Sequence, residues 1–211
     1  MEGLIQVFNT LLSAYGKRNW WPAQSPYEMM VGAILTQNTA WTNVEKAISN
    51  FGDRLSPEFV SITPAEEIAV IIRSSGYHNQ KAIKLKALTE WFGKYAFDID
   101  KVTEKDGEAL REELLAIKGI GPETAYSILT YALGKPFFVV DAYTKRILYR
   151  LGYEIPATYE GLRLNIEKGL KTDLYMFNEF HALIVEHAKR SCKKTPSCEG
   201  CTLKMICQKR F

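Results

Sequence analysis

What most limits the architecture of this chain is a succession of helix-start signals with almost no strand signal between them. Ser25-Pro26-Tyr27-Glu28 has the form of a capping box. Its proline sits at the first helical position, where a missing N–H costs nothing. Thr63-Pro64-Ala65-Glu66 repeats the design, and Thr103 to Asp106, Thr158 and Asp173 offer further capping side chains. Apolar spacing then predicts helices near 2–15, 26–37, 41–51, 64–73, 79–96, 104–116, 122–133, 142–151, 159–169 and 174–189. No internal repeat or low-complexity segment separates them. The expected fold class is all-α with short connections.

Lys118 to Asp141 is the most informative stretch. A helical segment, Glu108 to Ile117, runs into Gly119-Ile120-Gly121, and Pro122 opens the next helix. Ala125, Ile128, Leu129, Ala132 and Leu133 form one apolar face, and Gly134 and Pro136 stop it. An apolar run, Phe137 to Val140, leads to Asp141 at the mouth of another helix. Two glycines let the backbone turn tightly and approach a ligand closely. The unpaired N–H groups at the start of the second helix suit an anion such as phosphate. A Gly-x-Gly turn is equally a plain helix–helix connection, and Asp141 is equally a helix N-cap.

With 211 residues, 46% hydrophobic and 24% charged, the composition is that of a globular protein with a substantial core. No apolar run approaches the ~20 residues of a membrane span. The N-terminal MEGLIQVFNTLLSAYG reads as an amphipathic helix and a poor signal peptide, so a cytoplasmic protein is expected. Net charge is only +3. Its distribution is uneven: Lys189, Arg190, Lys193, Lys194, Lys204, Lys209 and Arg210 face Glu199 alone near the C-terminus. Such a tail serves either as a phosphate-binding patch or as a solubilising end.

All four cysteines fall in that tail, as Cys192-x5-Cys198-x2-Cys201-x5-Cys207. Four clustered thiolates suit a tetrahedral zinc ion or an iron–sulfur cubane, and disulfides do not suit a reducing cytosol. His181 and His187 are six residues apart, off a common helix face, and His78 falls in a turn. These histidines read as packing or phosphate-contact residues rather than metal ligands.

GIGPETA followed by VVDAYTKR, with Asp141 eighteen residues after Glu123, resembles the helix-hairpin-helix and catalytic-aspartate signature of the endonuclease III superfamily of DNA glycosylases. The likeness extends over nearly the whole chain. VGAILTQNTAWTNVEKAI (31–48), GYHNQKA (76–82) and NEFHALIVEHAKRSC (178–192) also fit it. The resemblance implies a two-domain helical fold, with 20–134 as a six-helix domain and 1–19 with 135–211 as the second, and an active-site cleft between them. It implies that hairpin residues Gly119, Ile120, Gly121 and Thr124 hold the DNA backbone. Gln37 would fill the space left by a flipped base, although an amide there can also satisfy a helix C-terminus. It implies a [4Fe–4S] cluster on Cys192, Cys198, Cys201 and Cys207, although the family spacing is x6, x2, x5 and this first loop is one residue shorter. The cluster would be structural, tying down a basic loop against DNA.

Asp141 is the implied catalytic carboxylate. A buried carboxylate stabilises an oxocarbenium-like sugar and orients water. Bifunctional members carry a lysine at the position of Glu123, and a carboxylate forms no Schiff base. The implied enzyme is therefore monofunctional, with Lys145, one turn beyond Asp141, as a phosphate contact. WWP at Trp20, Trp21 and Pro22, with Trp41 after TQNTA, resembles the 3-methyladenine branch of the superfamily, where matching aromatic positions line the base pocket. Tryptophans more often simply fill a core. Electron-rich rings suit a cationic N-alkylated purine. The expectation is a monomeric glycosylase of base excision repair acting on alkylated purines in double-stranded DNA, with no membrane association. The alternatives are a same-fold glycosylase/lyase for uracil, mismatched thymine or oxidised pyrimidines, and a catalytically inactive DNA-binding relative. A zinc-dependent scaffold protein is a further rival.

Overall fold

The structure is a computed structural model and describes residues 1–18 and 23–210. Trp20, Trp21 and Pro22 lie outside the described residues. Among those described there are helices and no strands. The chain forms two compact units, Met1–Trp20 with Pro136–Phe211, and Trp21–Lys135. In chain order the helices are α1 (Leu4–Tyr15), α2 (Pro26–Leu35), α3 (Trp41–Ser49), α4 (Pro57–Ile62), α5 (Ala65–Ile71), α6 (His78–Gly93), α7 (Ile99–Thr103), α8 (Gly107–Ala116), α9 (Pro122–Ser127), α10 (Ala142–Leu151), α11 (Tyr159–Leu170) and α12 (Leu174–Arg190). None is long and apolar enough to cross a membrane.

Trp21–Lys135 is built around α2, which packs on α3, α6 and α9. Residues Met29 to Leu35 are all buried, as expected of a helix apolar on every side. Ser25 caps it by accepting the Glu28 N–H, as its sequence predicts. Thr63 does not repeat this. Its hydroxyl donates to Phe59 O and closes the preceding helix instead. Asp106, not Thr103, caps α8 by accepting from the N–H groups of Glu108 and Ala109. Sequence periodicity misses α4 and α7 because six and five residues hold too little of a 3.6-residue repeat. The helix begun by α9 widens into a π turn over Ile128–Ala132, where Leu133 N–H reaches Ile128 O at 3.1 Å.

Three lysines close helix C-termini here. Lys81 Nζ donates to Leu35 O (2.9 Å) and Ser75 O (2.7 Å), Lys86 Nζ to Val60 O, Ser61 O and Thr63 O, and Lys135 Nζ to Thr103 O and Lys105 O. An ammonium donates three bonds and complements the negative end of a helix. Lys81 is 1% exposed. Burial, then repulsion by Lys84, pushes its pKa down to about 8.

In the unit formed by Met1–Trp20 and Pro136–Phe211, α1, α10, α11 and α12 enclose a core centred on Phe138. The Phe138 ring meets Phe177 edge-on at 6.1 Å and lies 5.9 Å from Phe180, which meets Phe8 edge-on at 6.0 Å. Each such aromatic pair adds about 0.5–1.5 kcal/mol beyond area burial. The apolar run Phe137 to Val140 is thus the buried strut that delivers Asp141 to the first turn of α10.

Candidate active site

The hairpin shows why its glycines differ. Gly119 has φ +90°, which an L side chain rarely adopts, and a Cβ there would lie 2.5 Å from Lys84 Cε. Gly121 has φ −92° and open space where its Cβ would stand. Neither backbone nor packing demands glycine at 121, so the turn presents bare backbone at that point. Ile120 between them is 4% exposed and pins the turn to the core. Pro122 and Glu123 stand exposed in the first turn of α9, and the Glu123 carboxylate complements the positive end of that helix.

Three of the sequence-nominated residues meet at this turn through one that sequence reading missed. Gln37 Nε2 donates to Thr124 Oγ1 (2.9 Å) and to Gly119 O (3.3 Å), while Lys84 Nζ donates to Gln37 Oε1 (2.6 Å). Nothing in the spacing of Lys84 signals this, since only the packing of α6 brings it beneath the hairpin. Tyr77, in the turn before α6, is 65% exposed and held in the left-handed region at φ +47°. Trp41 lies elsewhere in this unit. Its Nε1 donates to Glu45 Oε1 at 2.8 Å, and its ring lines a broad depression with Glu28, Glu45 and Asp53.

Asp141 caps α10, as the favoured N-cap residue type suggests, with Oδ1 accepting the Thr144 N–H at 2.7 Å. Its other oxygen, Oδ2, lies 3.4 Å from His181 Nε2 on α12. Both side chains are nearly enclosed, at 13% and 7% exposure. Burial alone would raise the Asp141 pKa. The His181 contact and the Thr144 N–H outweigh it, and the carboxyl is held below its ordinary value. The result is a buried carboxylate that stays ionised, the state needed to face developing positive charge. His181 packs, as expected, edge-on against Phe138 at 6.3 Å, and beyond that expectation it is the neighbour of this carboxylate. Lys145 follows one turn on, its backbone N–H bonded to Asp141 O at 3.1 Å and its side chain exposed.

Cys192, Cys198, Cys201 and Cys207 line one small cavity walled by Ile147, Leu151 and Leu203. Burial, and the charge of the three neighbouring sulfurs, push the Cys201 thiol up, so four thiolates need a positive group among them. Among the described residues no three ligating side chains stand close enough to grip a single ion. Four cysteines around one cavity offer the ligand count shared by a structural zinc ion and an iron–sulfur cluster. Arg150 shapes the short first loop, donating to Cys192 Sγ (3.3 Å), Lys193 O (2.7 Å) and Lys194 O (2.8 Å). His187 joins Tyr15 OH at 2.9 Å, and burial pushes its pKa down to about 4.

The chemistry-bearing features are a helix–glycine hairpin–helix in one unit, and a buried ionised aspartate and a basic loop with four cysteines in the other. Comparison with known proteins narrows this. Residues 31–172 match the family described as HhH-GPD superfamily base excision DNA repair protein. A Methanocaldococcus jannaschii protein named as a candidate DNA repair glycosylase is 45% identical, over 98% of this chain and 96% of its own. Endonuclease III of Thermotoga maritima is 30% identical over 87% of this chain and 83% of its own. The structure of H. pylori 3-methyladenine DNA glycosylase (MagIII) bound to 1,N6-ethenoadenine superposes with a TM-score of 0.80 at 29% identity, covering 90% of this chain and 98% of that one. The chain belongs to the HhH-GPD superfamily and is a DNA glycosylase of base excision repair.

Proposed function

We propose that this glycosylase is monofunctional and releases N-alkylated purines, 3-methyladenine first, from double-stranded DNA. The observation that carries the reading is the pair of acidic positions: Asp141, buried and ionised beside His181, and Glu123, a carboxylate opening α9 where the bifunctional pattern has an amine. Cleavage breaks the C1′–N bond, with its electron pair leaving on the base. Asp141 stabilises the cationic sugar and orients the water whose oxygen bonds to C1′. Water's proton passes to the carboxylate or to solvent. No covalent enzyme–sugar adduct forms, so the strand stays whole.

The substrate class rests on two supports. Trp41 lines a depression together with Glu28, Glu45 and Asp53, and an aromatic residue among carboxylates suits a cationic base. The likeness to the H. pylori 3-methyladenine DNA glycosylase, seen bound to 1,N6-ethenoadenine, points the same way. The WWP pattern of Trp20, Trp21 and Pro22, which resembles the 3-methyladenine branch, makes these residues further candidates for contact with the base. Gln37 takes the gap left by the flipped nucleotide, Gly119 to Gly121 with Thr124 hold the backbone, and Lys145 contacts phosphate. Cys192, Cys198, Cys201 and Cys207 hold a [4Fe–4S] cluster, which when bound ties down the basic loop and takes no part in the hydrolysis. The enzyme acts as a monomer in the cytosol, a reducing compartment that keeps cysteines available as cluster ligands.

The test is base release from methylated duplex DNA, with and without later alkali. Released 3-methyladenine with strand breaks only after alkali is expected. Breaks without alkali would overturn the monofunctional assignment and direct attention to Lys145. Release of uracil or oxidised pyrimidines, but not of methylated purines, would overturn the substrate class.

A further inference from the structure

We infer that Lys84 is a latch that holds Gln37 against the hairpin in the DNA-free protein, so that Gln37 enters a duplex only by leaving this dock. An ammonium donates and never accepts, so the 2.6 Å contact fixes Oε1 as the atom facing Lys84. The NH2 group is thereby turned to Thr124 Oγ1 and Gly119 O. Both ends of the Gln37 amide are engaged by protein, and neither is available to a base edge. The dock is shaped for this lysine. Its Cγ, Cδ and Cε lie within 3.0 Å of where a Gly119 Cβ would stand, so the missing side chain at 119 is the space through which the lysine stem passes. Gly119 therefore serves both the turn, through its φ of +90°, and the latch, through its empty side.

The consequence is a free-energy cost that falls only on complexes in which Gln37 leaves its dock. Intact duplex offers Gln37 nothing to offset three hydrogen bonds, one of them charge-assisted. A gap in the base stack offers new partners and a space to fill. Lys84 is thus a positioning residue that taxes every insertion of Gln37, and its ammonium becomes available to phosphate when Gln37 departs. This inference rests on the proposed role of Gln37 in the flipped-base gap.

The test uses the full-length chain as wild type, Lys84→Met, Gln37→Ala and the double variant. Lys84→Met keeps the stem beneath Gly119 and removes the ammonium. In DNA-free protein, the Gln37 side-chain NH2 should be protected from hydrogen exchange, and Lys84→Met should speed exchange by roughly three- to tenfold, the worth of one hydrogen bond. Exchange as fast as that of a fully exposed glutamine in the wild type would overturn the latch. Binding is then compared, at one salt concentration, for a duplex carrying a tetrahydrofuran abasic analogue and for the intact duplex. The ratio cancels the simple loss of a positive charge. Lys84→Met should raise the abasic preference by roughly three- to tenfold when Gln37 is present and leave it unchanged in the Gln37→Ala background. A ratio that falls, stays constant, or changes equally in both backgrounds overturns the inference. A wild type without any preference for the abasic duplex counts against the glycosylase reading, and the latch then stands or falls on the exchange measurement.

Discussion

His181 Nε2 on α12 stands 3.4 Å from Asp141 Oδ2, while the opposite oxygen of the same carboxylate accepts the first-turn N–H of Thr144. Each oxygen has its own partner, so the carboxylate plane is fixed from two directions. Asp141→Asn keeps the shape and loses the charge. Excision should fall by roughly a hundredfold or more, with binding to abasic DNA largely retained. Unchanged turnover would remove Asp141 from the chemistry.

The same pair sets a pH dependence. The Asp141 pKa is lowered in the folded protein, so its ionised form contributes stability above the unfolded carboxylate value, and that contribution is lost as pH falls through the lower folded value. The acid limb of excision should therefore lie below the usual carboxylate range. His181→Phe leaves burial, which raises the pKa, and removes the main opposing contact. The acid limb should move upward and kcat should fall more than KM rises. A profile that does not move would show that Thr144 alone sets the ionisation.

Gly119 and Gly121 should part company on substitution. Gly119→Ala meets the Lys84 stem and forces an L side chain to φ +90°, a loss of about 1–3 kcal/mol in chemical denaturation. Gly121→Ala meets nothing within the protein and should change stability by about 1 kcal/mol or less. Its effect should appear in DNA affinity, where the new methyl obstructs close approach of a phosphate. Equal losses of stability in the two variants would contradict this division.

Lys81 gives a second pH signature. The folded protein releases its proton near pH 8 and the unfolded chain near 10.5. Between those values the unfolded state binds more protons, so this group makes stability rise with pH, and the contribution fades as pH falls towards 8. Lys81→Met should cost about 1–3 kcal/mol by stranding the Leu35 and Ser75 carbonyls. Its deficit relative to wild type should widen from pH 8 to 10.5. A constant deficit would mean that the lysine keeps its ordinary pKa.

The cysteine cavity predicts a brown protein absorbing near ~400 nm, with about four iron and four sulfide per chain. Cys201→Ser should abolish the colour and weaken DNA binding through the loop, while the Trp21–Lys135 unit keeps its helical signal. A colourless protein with one zinc per chain would replace the cluster by a simpler structural site.

Most of the helical framework is legible in the chain because its causes are local. Ser25, Thr158 and Asp173 sit where their own oxygens reach a following N–H, and α10 runs over the residues its apolar spacing marks. The hairpin glycines, the aspartate after an apolar run and the four cysteines are also local patterns, and they carried the family resemblance. Thr63 failed as a cap because its hydroxyl had a better acceptor one turn back, Phe59 O, which a linear pattern does not weigh. Lys84 and His181 were invisible for a stronger reason. A lysine and a histidine in helices carry no periodic signal of function, and their partners lie 47 and 40 residues away in sequence. The sequence by itself determined the longer helices, the turn and the residues of the local motifs, because backbone propensity and capping act over a few residues. Tertiary structure alone decided which ends of Gln37 are occupied and which base sits beside Asp141, because only packing sets the distances on which hydrogen bonds and ionisation depend.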